Sequence, residues 1–368
     1  MTLDELLKSF DDEGFSNGWL VNSDLTISTT NSANVTSQLE GELFIATPTM
    51  VKDPNFLVSS VRGSRVIKQR NSGTSTIVFL TSYNPNTSGQ PAYAGFNHIR
   101  IENFTQQEVS EIFIYRNLPD DYYSDSQNPN NTRKLIFSNP LKHNLGANPS
   151  VFFFETIDPL QFSETIWFKS VGGFQMTISD TYVDTTNQVA GATTSTGMAN
   201  SQLLTNTSQV TFVYQGNNRY GSSGYVLSTD MYSFGNITIQ LNGPTPWVDT
   251  YKATGQQNVD NLLRELNWQA LNLQLNPTGL VVGSYYVQYF KIDNGEVTTE
   301  SPQTSQSIVS TSAASSVPPA SSSASPSGTS PSVTPQVSTS TVQTTTSSTS
   351  TSTVIISMIA TLFSFLYV

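Results

Sequence analysis

From Ser301 to Val368 the chain carries no charged side chain: 68 residues, mostly Ser, Thr, Pro and Ala, that end in an apolar run beginning at Val354. A Ser/Thr/Pro tract has too little apolar surface to offset the entropy of ordering it. Residues 296–353 are therefore outside any packed core and are expected to form a disordered, mucin-like Ser/Thr/Pro-rich stalk. At ~3.3–3.6 Å per residue, roughly 45 fully extended residues would span ~150 Å. The terminal run, 354–368, is shorter than the ~20 residues that a bilayer-spanning helix needs, and no Lys or Arg follows it. Small residues, a polar spacer of ~8–12 residues and a hydrophobic tail together make up a glycosylphosphatidylinositol (GPI) signal. Ser338 and Ser340 are the candidate attachment residues, which would place the protein on the outer face of the plasma membrane by a lipid. A C-terminal transmembrane span is the alternative.

Roughly 300 residues remain for folding, enough for two ordinary domains. With 16 Lys and Arg against 27 Asp and Glu, the net charge is −11. Nucleic acid is thereby excluded as a partner, because neutralising phosphates needs clustered cations. Charged residues make up only 12% of the chain, about half the usual share. Ser, Thr, Asn and Gln carry the polar surface instead, a mix that suits extracellular β-proteins. Cysteine is absent, so thiol chemistry and disulfides are excluded, but domains of ~120 residues can fold without cross-links. The N-terminus has neither the basic nor the apolar region of a secretory signal. Its Leu3, Leu6, Leu7 and Phe10 share one helical face, so residues 1–16 are expected to be a short N-terminal helix or a mis-started N-terminus.

The rest reads as short strands broken by Gly, Asn, Ser and Pro, the pattern of an all-β chain with two tandem β-sandwich domains. The first is expected over 17–117, with strands such as Thr76–Leu80 and Glu111–Tyr115. Residues 118–133 are rich in turn formers and read as a linker. The second is expected over 134–295, including Thr165–Phe168, Gln209–Tyr214 and Gly235–Leu241. Val259, Leu262, Leu263, Leu266 and Ala270 recur at helical spacing and predict one short capping helix near 257–273.

The two halves share a local pattern. Gly73–Tyr83, a polar loop and Tyr93-Ala94-Gly95-Phe96 onward match Thr207–Gln215, a loop and Ser222-Ser223-Gly224-Tyr225 onward. In each, an apolar strand with aromatic residues precedes a Gly/Ser/Asn loop, and a small-Gly-aromatic step opens the next strand. A glycine there suits a bulge or a positive φ. This layout resembles the closing hairpin of the CUB and CUB-like family, over about 25 residues in each half, and is most similar to the secreted CUB-like proteins expanded in nematodes. The resemblance implies a jelly-roll β-sandwich, surface binding without catalysis, and a part in epithelial defence or innate immunity. Two departures stand beside it. The disulfide cysteines of standard CUB domains are missing, and the nearest counterpart to the carboxylates of calcium-binding members, Asp180-Thr181-Tyr182-Val183-Asp184, lacks an upstream partner.

Catalytic constellations are scarce. His98 and His143 are the only histidines; neither has a partner at metal-ligand spacing, and His98 reads as a strand surface residue. No nucleophile elbow or phosphate loop appears, and no cofactor is expected. Paired carboxylates leave a glycoside hydrolase or transglycosylase as the enzymatic alternative, through Asp120-Asp121 beside Tyr122 and Tyr123, or through Glu155 or Glu164 beside Trp167. Asn34, Asn86, Asn103, Asn130, Asn206 and Asn236 each open an Asn-x-Ser/Thr sequon, as a glycosylated ectodomain would allow. Tyr83, Tyr93, Tyr214, Tyr220, Tyr225 and Trp247 lie near loops and would offer flat contacts to an unknown glycan or protein ligand. The expected function is recognition by a tethered ectodomain, with a purely structural coat protein as a further alternative.

Overall fold

A computed structural model describes residues 11, 15–16, 19–21, 44–69, 73–81, 98–125, 127–145, 148–191, 194–200, 207–214, 221–231, 235–252, 259–278, 283–293 and 352–355. The chain divides into one unit of 1–296 with 351–368 and a second of 297–350. The second lies outside the described residues, as does nearly all of the expected stalk.

The first sandwich opposes two sheets. One runs in the order β1 (Phe15–Ser16), β4 (Phe56–Ser60), β6 (Thr74–Leu80), β14 (Ile166–Val171), β8 (Glu111–Arg116), β9 (Leu135–Asn139). The other runs β13 (Leu160–Phe162), β7 (Ile99–Gln106), β15 (Phe174–Ser179), β5 (Arg65–Lys68). In the second sandwich, β16 (Asn187–Val189), β18 (Ser208–Thr211), β23 (Asn272–Thr278), β20 (Asn236–Asn242) and β21 (Trp247–Lys252) form one sheet. Facing it are β12 (Thr156–Ile157), β17 (Ser195–Asn200), β24 (Gly283–Asp293), β19 (Gly221–Met231) and β22 (Leu262–Leu266). Two small sheets remain: β10 (Leu141–Leu145) with β11 (Asn148–Phe152), and β2 (Trp19–Val21), β25 (Ser352–Ile355), β3 (Phe44–Ala46). The first residues of the apolar tail thus stand in a strand. Helices α1 (Pro48–Lys52) and α2 (Pro129–Lys134) each begin with proline behind a side-chain cap, Thr47 and Asn128, which satisfies an otherwise orphaned N–H.

The sandwiches are two copies of one topology. β4-β6-β14-β8-β9 matches β16-β18-β23-β20-β21, and β13-β7-β15-β5 matches β22-β19-β24-β17. Even the parallel pair recurs, β4 with β6 and β16 with β18. The pattern shared by 73–83 and 207–215 falls on the equivalent strands β6 and β18, but it is not a hairpin. In both copies the next strand, β7 or β19, crosses to the facing sheet. Gly224 has no positive φ; a Cβ there would land on the Arg264 carbonyl oxygen and the Phe290 ring, so close approach is what requires glycine.

Three boundaries differ from expectation. β8 pairs with β9 directly across 118–133, so that segment joins neighbouring strands of one sheet; turn formers serve such loops as well as linkers. The first sandwich therefore extends to Ser179 and the second begins at Asn187. Within the expected N-terminal helix, Phe15 and Ser16 are strand, and Phe15 is buried in the first core. In place of the helix at 257–273 stand β22 and the start of β23. Leu262 and Leu266 face the second core while Leu263 packs on the opposite face against Val226 and Phe290. A strand apolar on both faces loses its period of two, and the remaining spacing imitates a helix.

Burial on both faces is general here. Ile77 and Phe79 of β6 enter the first core, while Val78 and Leu80 pack outward with Trp167, Tyr115 and Tyr123. Strands β17 and β24 are shared: Tyr285, Val287 and Tyr289 belong to the second core, whereas Met198 and Tyr286 enter the first.

Candidate binding site

The two sheets of the second sandwich end on one side in the edge strands β21 and β22. Register pairs Leu241 with Trp247, Ile239 with Asp249 and Ile237 with Tyr251, so Trp247, Asp249 and Tyr251 share the face that Ile237, Ile239 and Leu241 bury. From the opposite sheet, Tyr225 of β19 and Arg264 of β22 stand as direct partners. All converge on one oxygen. Asp249 Oδ2 accepts from Tyr225 Oη at 2.7 Å, Trp247 Nε1 at 3.0 Å, Arg264 Nε at 3.1 Å and Tyr251 Oη at 3.2 Å. The two tyrosine hydroxyls are 3.0 Å apart.

Burial disfavours the Asp249 anion, but the bonds from Trp247, Tyr225, Arg264 and Tyr251 outweigh it and hold the carboxyl below its ordinary range. Burial, then the bonds to Tyr251 and Asp249, push the Tyr225 hydroxyl far above its own. An ionised carboxylate saturated with donors is a poor proton donor at neutral pH, and this one fixes its neighbours instead. Trp247 is held at 43% exposure beside Val248 at 54%. The result is a rigid aromatic and guanidinium margin suited to binding.

Of the residues singled out by sequence, Tyr225 and Trp247 are brought together here, though Tyr225 is buried. Asp249, Tyr251 and Arg264 are not among them. The Trp247-x-Asp249-x-Tyr251 alternation is their available signal, and Arg264 falls inside the expected helix. Tyr214 is packing: its ring lies 4.8 Å beneath Lys291 Nζ, and its hydroxyl bonds Ser223 at 2.6 Å. Tyr83, Tyr93 and Tyr220 lie outside the described residues, as do Asn34, Asn86, Asn206, Ser338 and Ser340.

Two of the candidate acids, Asp120 and Glu164, have local partners. Asp120 accepts the Tyr122 amide and faces Lys134, while Tyr123 turns inward and donates to Asp53 at 2.5 Å. Glu155 is exposed, and Glu164 accepts from the Tyr286 hydroxyl. Trp167 is fully buried, stacked on Tyr115 at 3.8 Å, and so offers no platform. Asp184 folds back on Thr186, whose hydroxyl and amide hold its carboxyl below the ordinary range. His98 is buried against the Tyr182 ring, contrary to a surface position; His143 lies on β10 opposite Ser150.

Three sequons are described. Asn130 is exposed on α2, and Asn236 is half-buried at the start of β20. Asn103 sits in mid-strand with φ 51°, where pairing between β7 and β15 shifts register. Ile101 and Phe104 both point into the core, three residues apart, which strict alternation forbids. The bulge inserts the extra residue and turns Asn103 outward, and asparagine tolerates the left-handed conformation.

No curated protein matches the chain. Among solved structures, the CUB1-EGF-CUB2 domain of human MASP-1/3 is similar over 62% of this chain and 99% of its own, at 8% identity and a TM-score of 0.18. A tail fiber protein from an E. coli phage is similar over 62% of this chain and 38% of its own, at 7% identity and a TM-score of 0.15. Likenesses at such scores carry no argument, and the sandwich assignment rests on the strand pairings. No described helix is long and apolar enough to cross a membrane. Residues 1–363, nearly the whole chain, match the family described as "Transmembrane glycoprotein", and the chain belongs to that family.

Proposed function

We propose that this protein is a cell-surface glycoprotein whose paired sandwiches, of CUB-like type, act as a non-catalytic recognition module for a glycan or protein ligand. The observation that carries this reading is the exposed Trp247 fixed by Asp249 beside Arg264 on an edge strand. An indole locked at such a margin loses little entropy on binding. The Ser/Thr/Pro stalk supports presentation away from a membrane, and the short uncharged tail supports a GPI anchor near Ser338 or Ser340. Cleavage there would also remove β25. A role in epithelial defence follows only from the sequence resemblance to CUB-like proteins, whose closing-hairpin pairing these strands do not form. The family description favours a second reading, in which the tail stays as a C-terminal transmembrane span.

Phospholipase treatment of intact cells separates the two anchoring readings. Release of the protein supports the lipid, and retention in the membrane fraction overturns it. For recognition, the freed protein and a Trp247→Ala variant are screened on glycan and protein arrays. The variant is expected to lose at least ~10-fold in affinity for the best ligand, as a central anchor residue does. Equal binding by both proteins would move the site elsewhere.

A further inference from the structure

The outer face of the first sandwich carries an open groove of about 460 Å³ lined by Lys68, Gln69, Thr105, Gln106, Gln107, Gly173, Phe174 and Gln175. Its floor is a single row across three strands, in which Lys68 pairs with Gln175 and Gln175 with Thr105. One wall is fixed: Gln106 Nε2 donates to the Ser110 and Asn139 carbonyls at 2.7 and 2.8 Å, and Asn139 Nδ2 returns a bond at 3.0 Å. At the end of the groove the Gln107 amide lies over Gly173, where a Cβ would come within 2.6 Å of it. The lining contains no carboxylate. Side-chain amides pair a donor with an acceptor, as vicinal hydroxyls do, so the groove fits a neutral polyhydroxylated ligand of a size that clefts of this volume hold.

Such a ligand has an attachment point one row away. Val66 and Thr177 form the next row, and Asn103 Nδ2 reaches the Thr177 hydroxyl at 3.4 Å. Thr177, which Asn103 contacts, lies two residues along β15 from Gln175 in the groove floor, ~6.6 Å, about one sugar ring. On the other side of Asn103 the surface is charged, with Arg100 and Glu102 paired at 2.8 Å. A neutral glycan leaving Asn103 therefore meets an ion pair in one direction and, in the other, amides with the single Lys68 ammonium. We infer that the N-linked oligosaccharide on Asn103 folds into the glutamine-lined groove and is held there by Gln175, Gln107 and Lys68. The glycan then covers this sheet face and leaves the Trp247 margin as the open surface. The inference rests on the extracellular reading above, because only a secreted chain receives the glycan.

The test uses the full chain behind an added secretion leader, produced in a eukaryotic secretory host. Glycopeptide mass spectrometry first measures occupancy at Asn103. Endoglycosidase trimming of the native protein then compares Asn103 with Asn130, an exposed control. Trimming at Asn103 is expected to be about tenfold slower, and Gln175→Ala with Gln107→Ala should remove most of that difference while the unfolding temperature stays unchanged. Both side chains are exposed, so the variants should fold. Equal trimming rates at an occupied Asn103 would overturn docking and leave the extracellular reading standing. An unoccupied Asn103 in secreted protein would overturn the inference at its root. If an Asn103→Gln protein binds free oligosaccharide in the groove while the wild-type glycan stays unprotected, the groove serves an outside ligand and the inference fails.

Discussion

Asp158 joins the copies at the level of single atoms. It follows β12, the short strand that the first sandwich lends to the second, and is only 6% exposed. Oδ1 accepts the Gly191 amide at 2.9 Å, Oδ2 accepts the Tyr289 hydroxyl at 3.2 Å, and its own amide bonds Thr196 at 2.8 Å. Burial outweighs these bonds and raises the carboxyl to about 6. A carboxyl raised in the fold contributes stability that is complete below its unfolded pKa of ~3.9 and is lost as pH rises through the folded value. Stability should therefore fall between pH 4 and 6.5, by up to ~3 kcal/mol from this group. Asp158→Asn keeps the acceptor without the charge and should flatten the profile and raise stability at pH 7.5. Thermal melts across that range check it; an unchanged slope in the variant would assign the dependence to another group. The same scale separates what was legible at the candidate site. Trp247 and Tyr225 stand out in a sequence by residue type, whereas Asp249 is one acid among many until four donors from three strands surround it.

Elements here are decided by what lies on both of their faces. β24 is apolar above and below because it packs against both cores. Its neighbour β19 backs the second core and sets Val226 outward against Leu263 and Phe290. At the edge of this wall, β22 looks helical because it too carries apolar residues on both faces. Gly224 sits where this wall is tightest. Gly224→Ala places a methyl group on the Arg264 carbonyl and 2.5 Å from Phe290 Cζ. The clash is with backbone, so it cannot relax by a rotamer change. A loss of roughly 2–3 kcal/mol in urea unfolding is expected, as for overpacked cores. The shift should also loosen β22 and lower the affinity carried by Trp247, since Arg264 leaves Asp249. A neutral substitution would show that the backbone gives way without cost.

Across the molecule, a largely polar seam binds the copies. Arg116 pairs with Asp230 at 2.9 Å, Ser138 exchanges two bonds with Gln288 at 3.1 and 2.8 Å, and Asn261 reaches the Thr132 carbonyl at 2.9 Å. Arg116 is nearly buried, so removing its partner strands a charge. With β12 donated and Met198 and Tyr286 seated in the first core, the copies should unfold together. Calorimetry is expected to give one transition whose van't Hoff and calorimetric enthalpies agree. Asp230→Ala with Gln288→Ala should split it in two, and a single transition in that variant would mean that the apolar contacts alone couple the copies. Composition and local periodicity were enough to establish an all-β chain, its uncharged tract and its duplicated strand–loop–strand pattern, because each is a property of neighbours along the chain. Where one sandwich ends, which strands cross between sheets and which residues surround Asp249 were decided by the tertiary structure. Those outcomes depend on pairings between residues far apart in sequence, and the wall shared by two cores erases the period-two signal that would have marked its strands.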